Sequence, residues 1–474
     1  MILLPGLLLA ALALAYLPLD DAAGLVVLVG GALTLLRWPW LVWPLLGASL
    51  PFAAAQGLDR ISLADVVLAG AVTIWFADGV RRRSLRIAPS PLVGLTLLWI
   101  AAQCASLLAA ADLVEGGAEV VKWVEFGVIL AIAPVMLTAR QGRWLIVGLL
   151  LGGAGQALLG LYQFVNRIGP DWFIILGRFM RASGSFGQPN PYGGYLGLCL
   201  PVAVSLALWA WGQVWQPVQD RMGESDRPLR ERLAIVLPAC FFSVVSLLLL
   251  TGILASWSRG AWLGVLAGLA VVLALRSRTA LLVSSVAALV GLAALLLGSF
   301  RPAMIPAPLS ARMADVPAYL GLTDVLSQPV TDENFSVVER VAHWAAAMRM
   351  WEQAPWFGIG PGNYAVAYPS VRLPRWEDAL GHAHNVYLNV LAETGVIGLA
   401  AFLILWIGMV VWLWRHFRSA PVRSYAGALA LGVLGVIAHL SVHNLVDSLF
   451  VHGMTLHLAL LLAAVEVATK AEVQ

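Results

Sequence analysis

Two histidines stand where a long apolar run begins in the carboxyl-terminal part of the chain. The stretch GHAHNVYLNVLAETGVIGLAAFL starts at Gly381 and places His382, His384, Asn385 and Glu393 beside that run. A neutral imidazole can take a proton near neutral pH, so a histidine here suits general base catalysis on a hydroxyl group. The alternative is a histidine that only caps the next helix.

The histidine spacing gives little support to a metal site. His382 and His384 are two residues apart, whereas a helical zinc-binding pair is spaced by four. His443 and His452 lie in the last predicted outer turn, which keeps a metal as a minor alternative. The sequence therefore predicts a site with no metal and no cofactor.

An anion site is predicted in FMRASGSFGQPNPYGGYLG, residues 179–197. Arg181 precedes a Gly/Ser-rich turn, after which Asn190 suits a helix cap and Pro191 a first helical position. A helix amino terminus presents free N–H groups and a positive dipole end. The alternative is a capping loop with one solvated arginine.

Arg259, in LASWSRGAWLG, is the one charged residue between Leu233 and Leu275. A charge in such a tight turn beside the membrane is costly unless it is paired or reaches a polar cavity. An arginine that extends to the lipid headgroups is the alternative. The functional interpretation is slightly favoured.

Residues 335–364, FSVVERVAHWAAAMRMWEQAPWFGIGPGNY, predict an amphipathic helix on the outer membrane surface, followed by a glycine-rich turn. Its apolar residues recur at helical spacing: Val338, Val341, Trp344, Ala345, Met348 and Trp351. Arg340, His343, Arg349 and Glu352 occupy other faces. GIGPGNY lacks the ending of a phosphate-binding loop.

Composition places these motifs in a membrane protein. Of 474 residues, 60% are hydrophobic and 12% charged, and many stretches reach the roughly 20 apolar residues that span a bilayer. The net charge of +3 is too small to suggest nucleic acid, and the three cysteines lie in apolar runs without a metal or disulfide pattern. The fold class is therefore an all-α polytopic membrane protein.

Fourteen spans are predicted, or twelve if 41–55, with Pro44 and Pro51, is re-entrant. Lys122 and Glu125 indicate that the segment 119–138 faces protein or a cavity. The candidate spans are 2–18, 22–36, 41–55, 62–79, 90–111, 119–138, 144–165, 190–212, 233–256, 260–275, 280–299, 385–413, 425–442 and 449–468.

Basic residues predict the orientation of these spans. With the amino terminus inside, 17 Lys and Arg fall in cytoplasmic loops and five in short outer loops. The predicted organisation is a membrane bundle over 1–299, an outer loop domain over 300–384, and carboxyl-terminal spans over 385–474. The loop has 85 residues and is the largest extramembrane segment.

Four stretches occur in one order: RASGSFGQPNPYGGYL, SWSRGAW, ERVAHWAAAMRMWEQAPWFGIGPGNY and HAHNVYLNVLAETGVIGL. Together they resemble the O-antigen ligase and polymerase superfamily of bacterial membrane glycosyltransferases, most densely from 180 to 410. The resemblance implies a GT-C-like fold in the cytoplasmic (inner) membrane, with the active site facing the periplasm. It implies His384 as the catalytic residue, and Arg181, Arg259 and Arg340 as donor-binding arginines.

The implied substrates are an undecaprenyl-diphosphate-linked glycan donor and an acceptor hydroxyl, on lipid A–core for a ligase or on another repeat unit for a polymerase. Asn190, His382 and Asn385 are further candidate substrate-binding residues. No D-x-D motif is present, so arginines in place of a metal are expected to stabilise the departing diphosphate. A lipid-linked glycan flippase, a lipid II-type polymerase and a structural scaffold are the alternatives.

Overall fold

The structure is a computed structural model that describes residues 37–55, 62–175, 177–220, 229–277 and 334–473, with a few isolated positions near 30, 280 and 330. Two short strands, β1 (Ile174–Ile175) and β2 (Phe179–Met180), form an antiparallel hairpin. The remaining regular structure is helical: α1 (Val42–Ser49), α2 (Leu63–Arg81), α3 (Pro91–Ser106), α4 (Leu113–Met136), α5 (Ala139–Asn166), α6 (Pro189–Asp220), α7 (Leu229–Ser256), α8 (Arg259–Arg276), α9 (Phe335–Gln353), α10 (Tyr364–Val371), α11 (Val386–Ser419), α12 (Tyr425–His443) and α13 (Met454–Val473).

The protein is an all-α polytopic membrane protein, as predicted. Within the described ranges, nine helices are long and apolar enough to cross a membrane: α2, α3, α5, α6, α7, α8, α11, α12 and α13. The candidate span 2–18 and most of 22–36 and of 280–299 lie outside the described residues. The predicted number of spans therefore stays a prediction.

The candidate span 41–55 forms an interrupted helix. The eight-residue α1 is flanked by 3-10 turns at Pro39–Leu41 and Leu50–Ala55. It packs closely on α5, where a Cβ added to Gly148 would lie 2.3 Å from the Pro44 carbonyl oxygen. A glycine on α5 therefore lets the two backbones approach, as small residues do between membrane helices.

Helix α4 turns its charged residue Lys122 toward the protein, as its sequence predicts. The Lys122 Nζ donates to the Phe450 carbonyl oxygen at 3.1 Å. The next residue, Trp123, packs its ring against Trp99 of α3, Phe402 of α11 and Phe450. This aromatic cluster ties α4 to the loop between α12 and α13.

Helix α12 runs antiparallel to both α6 and α8. A Cβ at Gly197 of α6 or at Gly264 of α8 would lie 2.1 or 2.6 Å from the buried His439 ring, and one at Gly260 would lie 2.7 Å from His443. The amino-terminal ends of α6 and α8 therefore meet the carboxyl-terminal end of α12. Helix α11 begins at the same place, where the Val386 N–H donates to the Asn444 carbonyl oxygen at 2.9 Å.

Helix α9 exists as predicted, but a different face of it is buried. It packs against α10 and α11, and its buried stripe comprises Val337, Val338, Ala342, His343, Ala346, Ala347 and Met350. Trp344, Met348 and Trp351, which were assigned to the apolar face, are only partly buried. The small alanines of α9 allow close packing on α11, so packing rather than side-chain hydrophobicity decides its orientation.

Candidate functional site

The segment that carries the two histidines is a turn held in place by Asn385. Helix α11 starts at Val386, and Asn385 caps it by accepting from the Leu388 N–H at 3.1 Å. The same amide donates to the Leu445 carbonyl oxygen at 3.0 Å. Both ends of the Asn385 amide therefore position backbone, and its contact with substrate stays a prediction.

His384 has a left-handed backbone, with φ of 51°. A residue other than glycine in this region costs about 1–3 kcal/mol and is held by surrounding contacts. Its Nδ1 lies 3.2 Å from Asp447 Oδ1, with only 6% of the aspartate side chain exposed. This bond turns the His384 Nε2 away from the carboxylate, and Nε2 is buried without a hydrogen bond to any described residue.

Asp447 stays ionised in this environment. Burial by itself would raise the pKa of the carboxyl, but the hydrogen bond from His384 and the charges on His384 and Arg340 hold the pKa below its usual range. Asp447 Oδ1 also accepts from the Ser448 N–H at 2.9 Å. An ionised Asp447 requires the proton of His384 to sit on Nδ1, which leaves Nε2 as a base.

His382 lies against His384 and does not point away from it. Their ring centroids are 4.4 Å apart, and His382 Nδ1 accepts from the His384 backbone N–H at 3.1 Å. Burial, and after it the charge on His384, lower the pKa of His382 to about 4. His382 is therefore neutral, and its Nδ1 supports the His384 backbone. The two rings lie together because the helix begins only after both residues.

A third histidine, His343 of α9, packs against His384 with ring centroids 5.9 Å apart. The Tyr364 hydroxyl donates to the His343 carbonyl oxygen at 3.0 Å and lies 2.9 Å from His343 Nδ1. Since the hydroxyl has one proton, Nδ1 must be the donor in the second bond. Burial lowers the pKa of His343 to about 4, so this imidazole is neutral.

The predicted arginines are joined to one another through backbone and serine contacts. Arg181 Nε donates to the Ser256 carbonyl oxygen at 3.0 Å, in the turn before α8. Arg259, the first residue of α8, donates from Nη2 to Ser336 Oγ at 3.2 Å. The fold thus brings two arginines that are 78 positions apart to the same turn.

Arg340 links this arginine group to the His384–Asp447 pair. Its Nη1 donates to the Ser336 carbonyl oxygen at 2.9 Å, and its Nε donates to the Val446 carbonyl oxygen at 3.0 Å. Val446 precedes Asp447, so Arg340 also shapes the loop that orients His384. Ser336 therefore accepts hydrogen bonds from both Arg259 and Arg340 and connects the two arginines.

Asn190 is the second residue of its helix and not the predicted cap. Helix α6 begins at Pro189, and proline suits the first helical turn. The Asn190 Oδ1 accepts from Arg181 Nη2 at 3.4 Å. Asn190 therefore orients Arg181 in this structure, and the helix start still faces the arginine group.

The turn GIGPGNY fits a break in α11. Gly395 has a φ of 65° inside that helix, and a Cβ there would lie 2.3 Å from the Trp356 backbone. Backbone groups near the break form hydrogen bonds with the turn. One example is the Ile359 N–H, which donates to the Ala392 carbonyl oxygen at 3.1 Å. Glu393 accepts from the Tyr364 N–H at 3.1 Å, so its role is structural.

His382, His384 and Asp447 also form a group whose potential ligand atoms lie within 4.8 Å of one another. Two histidines and a carboxylate are a donor set that a zinc ion accepts. In this structure His384 Nδ1 and Asp447 Oδ1 are engaged with each other, and His382 Nδ1 accepts a backbone proton. This arrangement favours a hydrogen-bonded pair, and metal dependence becomes a direct experimental question.

Sequence reasoning missed Asp447, Ser336 and His343. Asp447 had a signal, since it is the one acidic residue between Glu393 and Glu466 and lies in a predicted outer turn. No sequence signal marks Ser336, because its place in the site depends on the two arginines that contact it. The helical spacing puts His343 on a face other than the apolar one, whereas His343 is fully buried.

Residues 244–403 match the family model described as O-Antigen ligase. Over this segment the chain is similar to the O-antigen ligase family. The O-antigen ligase match includes Arg259, Arg340 and His384, whereas Arg181 and Asp447 lie outside it. It supports a glycosyltransferase-like activity of the O-antigen ligase or polymerase type. No curated protein matches the chain.

Proposed function

We propose that the protein transfers a glycan from an undecaprenyl-diphosphate carrier to an acceptor hydroxyl at the periplasmic face of the inner membrane, in the manner of an O-antigen ligase. The observation that carries this proposal is the connected set of contacts from the arginines to the histidine. Arg259 meets Ser336, Ser336 meets Arg340, and Arg340 reaches the loop of Asp447 and His384.

In the proposed reaction, the acceptor oxygen attacks the anomeric carbon of the donor sugar while His384 Nε2 takes the hydroxyl proton. The bond between that carbon and the diphosphate oxygen breaks, and its electron pair stays on the diphosphate. Arg181, Arg259 and Arg340 offer fixed positive charge to the phosphate oxygens, where negative charge grows. Asp447 stabilises the imidazolium that forms, as an aspartate does behind a histidine base.

The acceptor reaches His384 only after a movement of the outer segment, because Nε2 is shielded from solvent. Arg340 and His343 both lie on α9, so this helix covers the pair. A long glycan donor and its acceptor would therefore enter as α9 shifts. This requirement agrees with an outer loop domain at 300–384, which we propose lies in the periplasm.

The arginines suit a transfer without a divalent metal. Guanidinium groups bind phosphate oxygens in a planar fork, which replaces the charge that a metal would supply. We therefore propose a metal-independent glycosyltransferase. A polymerase that joins repeat units is the second candidate, because it requires the same donor site and the same base.

The test is to measure donor binding and transfer separately in His384→Ala and His384→Gln. Both variants should bind the lipid-linked donor normally, and both should lose transfer by about 100-fold or more, because neither side chain accepts a proton at a useful rate. His416→Ala, in the last turn of α11, is the control and should transfer normally. Transfer within a few-fold of normal in His384→Ala would refute the mechanism.

The identity of the acceptor that the protein extends distinguishes a ligase from a polymerase. A ligase should extend lipid A–core and leave a second lipid-linked repeat unit unchanged, whereas a polymerase should join the two repeat units. A reporter fused after Asp332 tests the sidedness, since this position is predicted to lie outside. A cytoplasmic reporter would contradict the assignment.

A further inference from the structure

Helix α4 contains one basic residue, Lys122, in its outer half. Helix α4 is not among the nine helices counted above, but it covers most of the predicted span 119–138, where a charged side chain is costly and usually has a partner. Lys122 has two: Glu119, at 2.5 Å and one turn earlier, and the Phe450 carbonyl oxygen at 3.1 Å. Glu119 holds the ammonium group near its helix, and the carbonyl lies on a distant loop.

That loop, residues 444–453, joins α12 to α13 and carries Asp447. Phe450 is held by α4 at both its backbone and its ring, because its ring packs on Trp123 with centroids 5.4 Å apart. The contact lies three residues after Asp447. Movement of the Phe450 carbonyl therefore changes where the Asp447 carboxylate lies.

A second cation holds the loop on the other side of the aspartate. Arg340 donates to the carbonyl oxygen of Val446, the residue before Asp447. Asp447 thus lies between two carbonyl groups that receive hydrogen bonds from cations of α4 and α9. Within the loop, the Leu449 N–H donates to Asn444 Oδ1 at 3.0 Å, which keeps this stretch compact.

We propose that Lys122 is a positioning residue for the transfer reaction, which holds Asp447 against His384 by fixing the Phe450 carbonyl. The inference rests on the proposed function. Lysine suits this role, because its long stem and three rotatable donors let one head group satisfy an acid and a carbonyl together. Lys122 lies outside the matched segment 244–403, so its geometry alone assigns the role.

The experiment compares Lys122→Met with Lys122→Arg in two backgrounds. One is the protein with Asp447 intact, and the other is the Asp447→Ala variant. Lys122→Met should lower kcat by about 10- to 100-fold, since displacement of a catalytic group by about 1 Å has an effect of that size. The donor KM should stay within about twofold, because the arginine group is unchanged. Lys122→Arg should recover most of the activity.

In Asp447→Ala, the Lys122→Met change should have little further effect on kcat, because a residue that acts through Asp447 has nothing left to position. Equal losses in both backgrounds would overturn the proposal in favour of general packing. The control is Lys470→Met. Lys470 also pairs with an acid one turn earlier, Glu466 at 2.8 Å, but it lies in the last turn of α13, and its loss should leave kcat unchanged.

A second measurement separates this inference from the proposed function. Hydrogen exchange of the 444–453 peptide should quicken in Lys122→Met and stay protected in Lys122→Arg, whichever glycan the protein transfers. Unchanged exchange in Lys122→Met would overturn the positioning role by itself. If the wild-type protein transfers no glycan but the exchange pattern is as expected, the proposed function is overturned. The structural effect of the Lys122–Phe450 contact on the loop would then still be established.

Discussion

Removal of the carboxylate behind His384 gives the most direct test of the site. In Asp447→Ala, His384 Nδ1 loses its 3.2 Å partner, and the imidazolium formed during transfer loses a buried negative charge. A hydrogen bond to a charged group contributes about 1.5–3 kcal/mol. Loss of that amount from the transition state lowers kcat by about 10- to 150-fold.

Asp447→Asn should fall between the wild type and Asp447→Ala. The Ser448 N–H donates to Asp447 Oδ1 at 2.9 Å, and the same bond should hold the amide oxygen of asparagine in that position. The oxygen can then still accept from His384 Nδ1. A neutral bond contributes about 0.5–1.5 kcal/mol, so part of the rate should be retained.

The assay is single-turnover transfer by purified protein in lipid nanodiscs, with donor binding measured separately. The control is Glu377→Gln, an acid of the segment between α10 and α11, whose side chain is 81% exposed and lies 3.4 Å from Arg372. A kcat for Asp447→Ala within twofold of normal, in folded protein, would refute the His384–Asp447 pair. Weaker donor binding with normal turnover would place Asp447 in the donor site instead.

Three further predictions follow from the same contacts. Arg259→Ala should reduce transfer by about 10- to 150-fold and Arg259→Lys should recover little, because lysine lacks the planar fork; full activity in Arg259→Ala would identify Arg259 as a headgroup anchor. EDTA should leave transfer unchanged, and a loss that magnesium or manganese restores would contradict metal independence. Stability should fall as the pH drops from about 6.5 to about 4, because the unfolded chain protonates histidines that the folded protein keeps neutral, with pKa values of His343 and His382 near 4. His343→Phe should weaken this dependence in melting-temperature measurements across that pH range, and an unchanged slope would contradict it.

Much of the membrane architecture follows from the sequence alone. Hydrophobic stretches of about 20 residues identify helices because a helix satisfies its backbone hydrogen bonds within one segment in lipid. The α8 and α12 helices lie within one residue of their predicted bounds at both ends, and α6 and α11 begin within one residue of theirs. The lone Arg259 and the two histidines were also recognisable, since polar groups stand out at the ends of apolar runs.

The tertiary structure decided which of these groups meet. His382 and His384 are neighbours because α11 starts only at Val386, a boundary set by the Asn385 cap and its bond to the loop between α12 and α13. The sequence could not reveal that Asp447, 63 residues later, faces His384, or that Lys122, 328 residues before Phe450, holds the same loop. Such contacts depend on antiparallel packing of distant helices, because local sequence specifies each helix but not its neighbours.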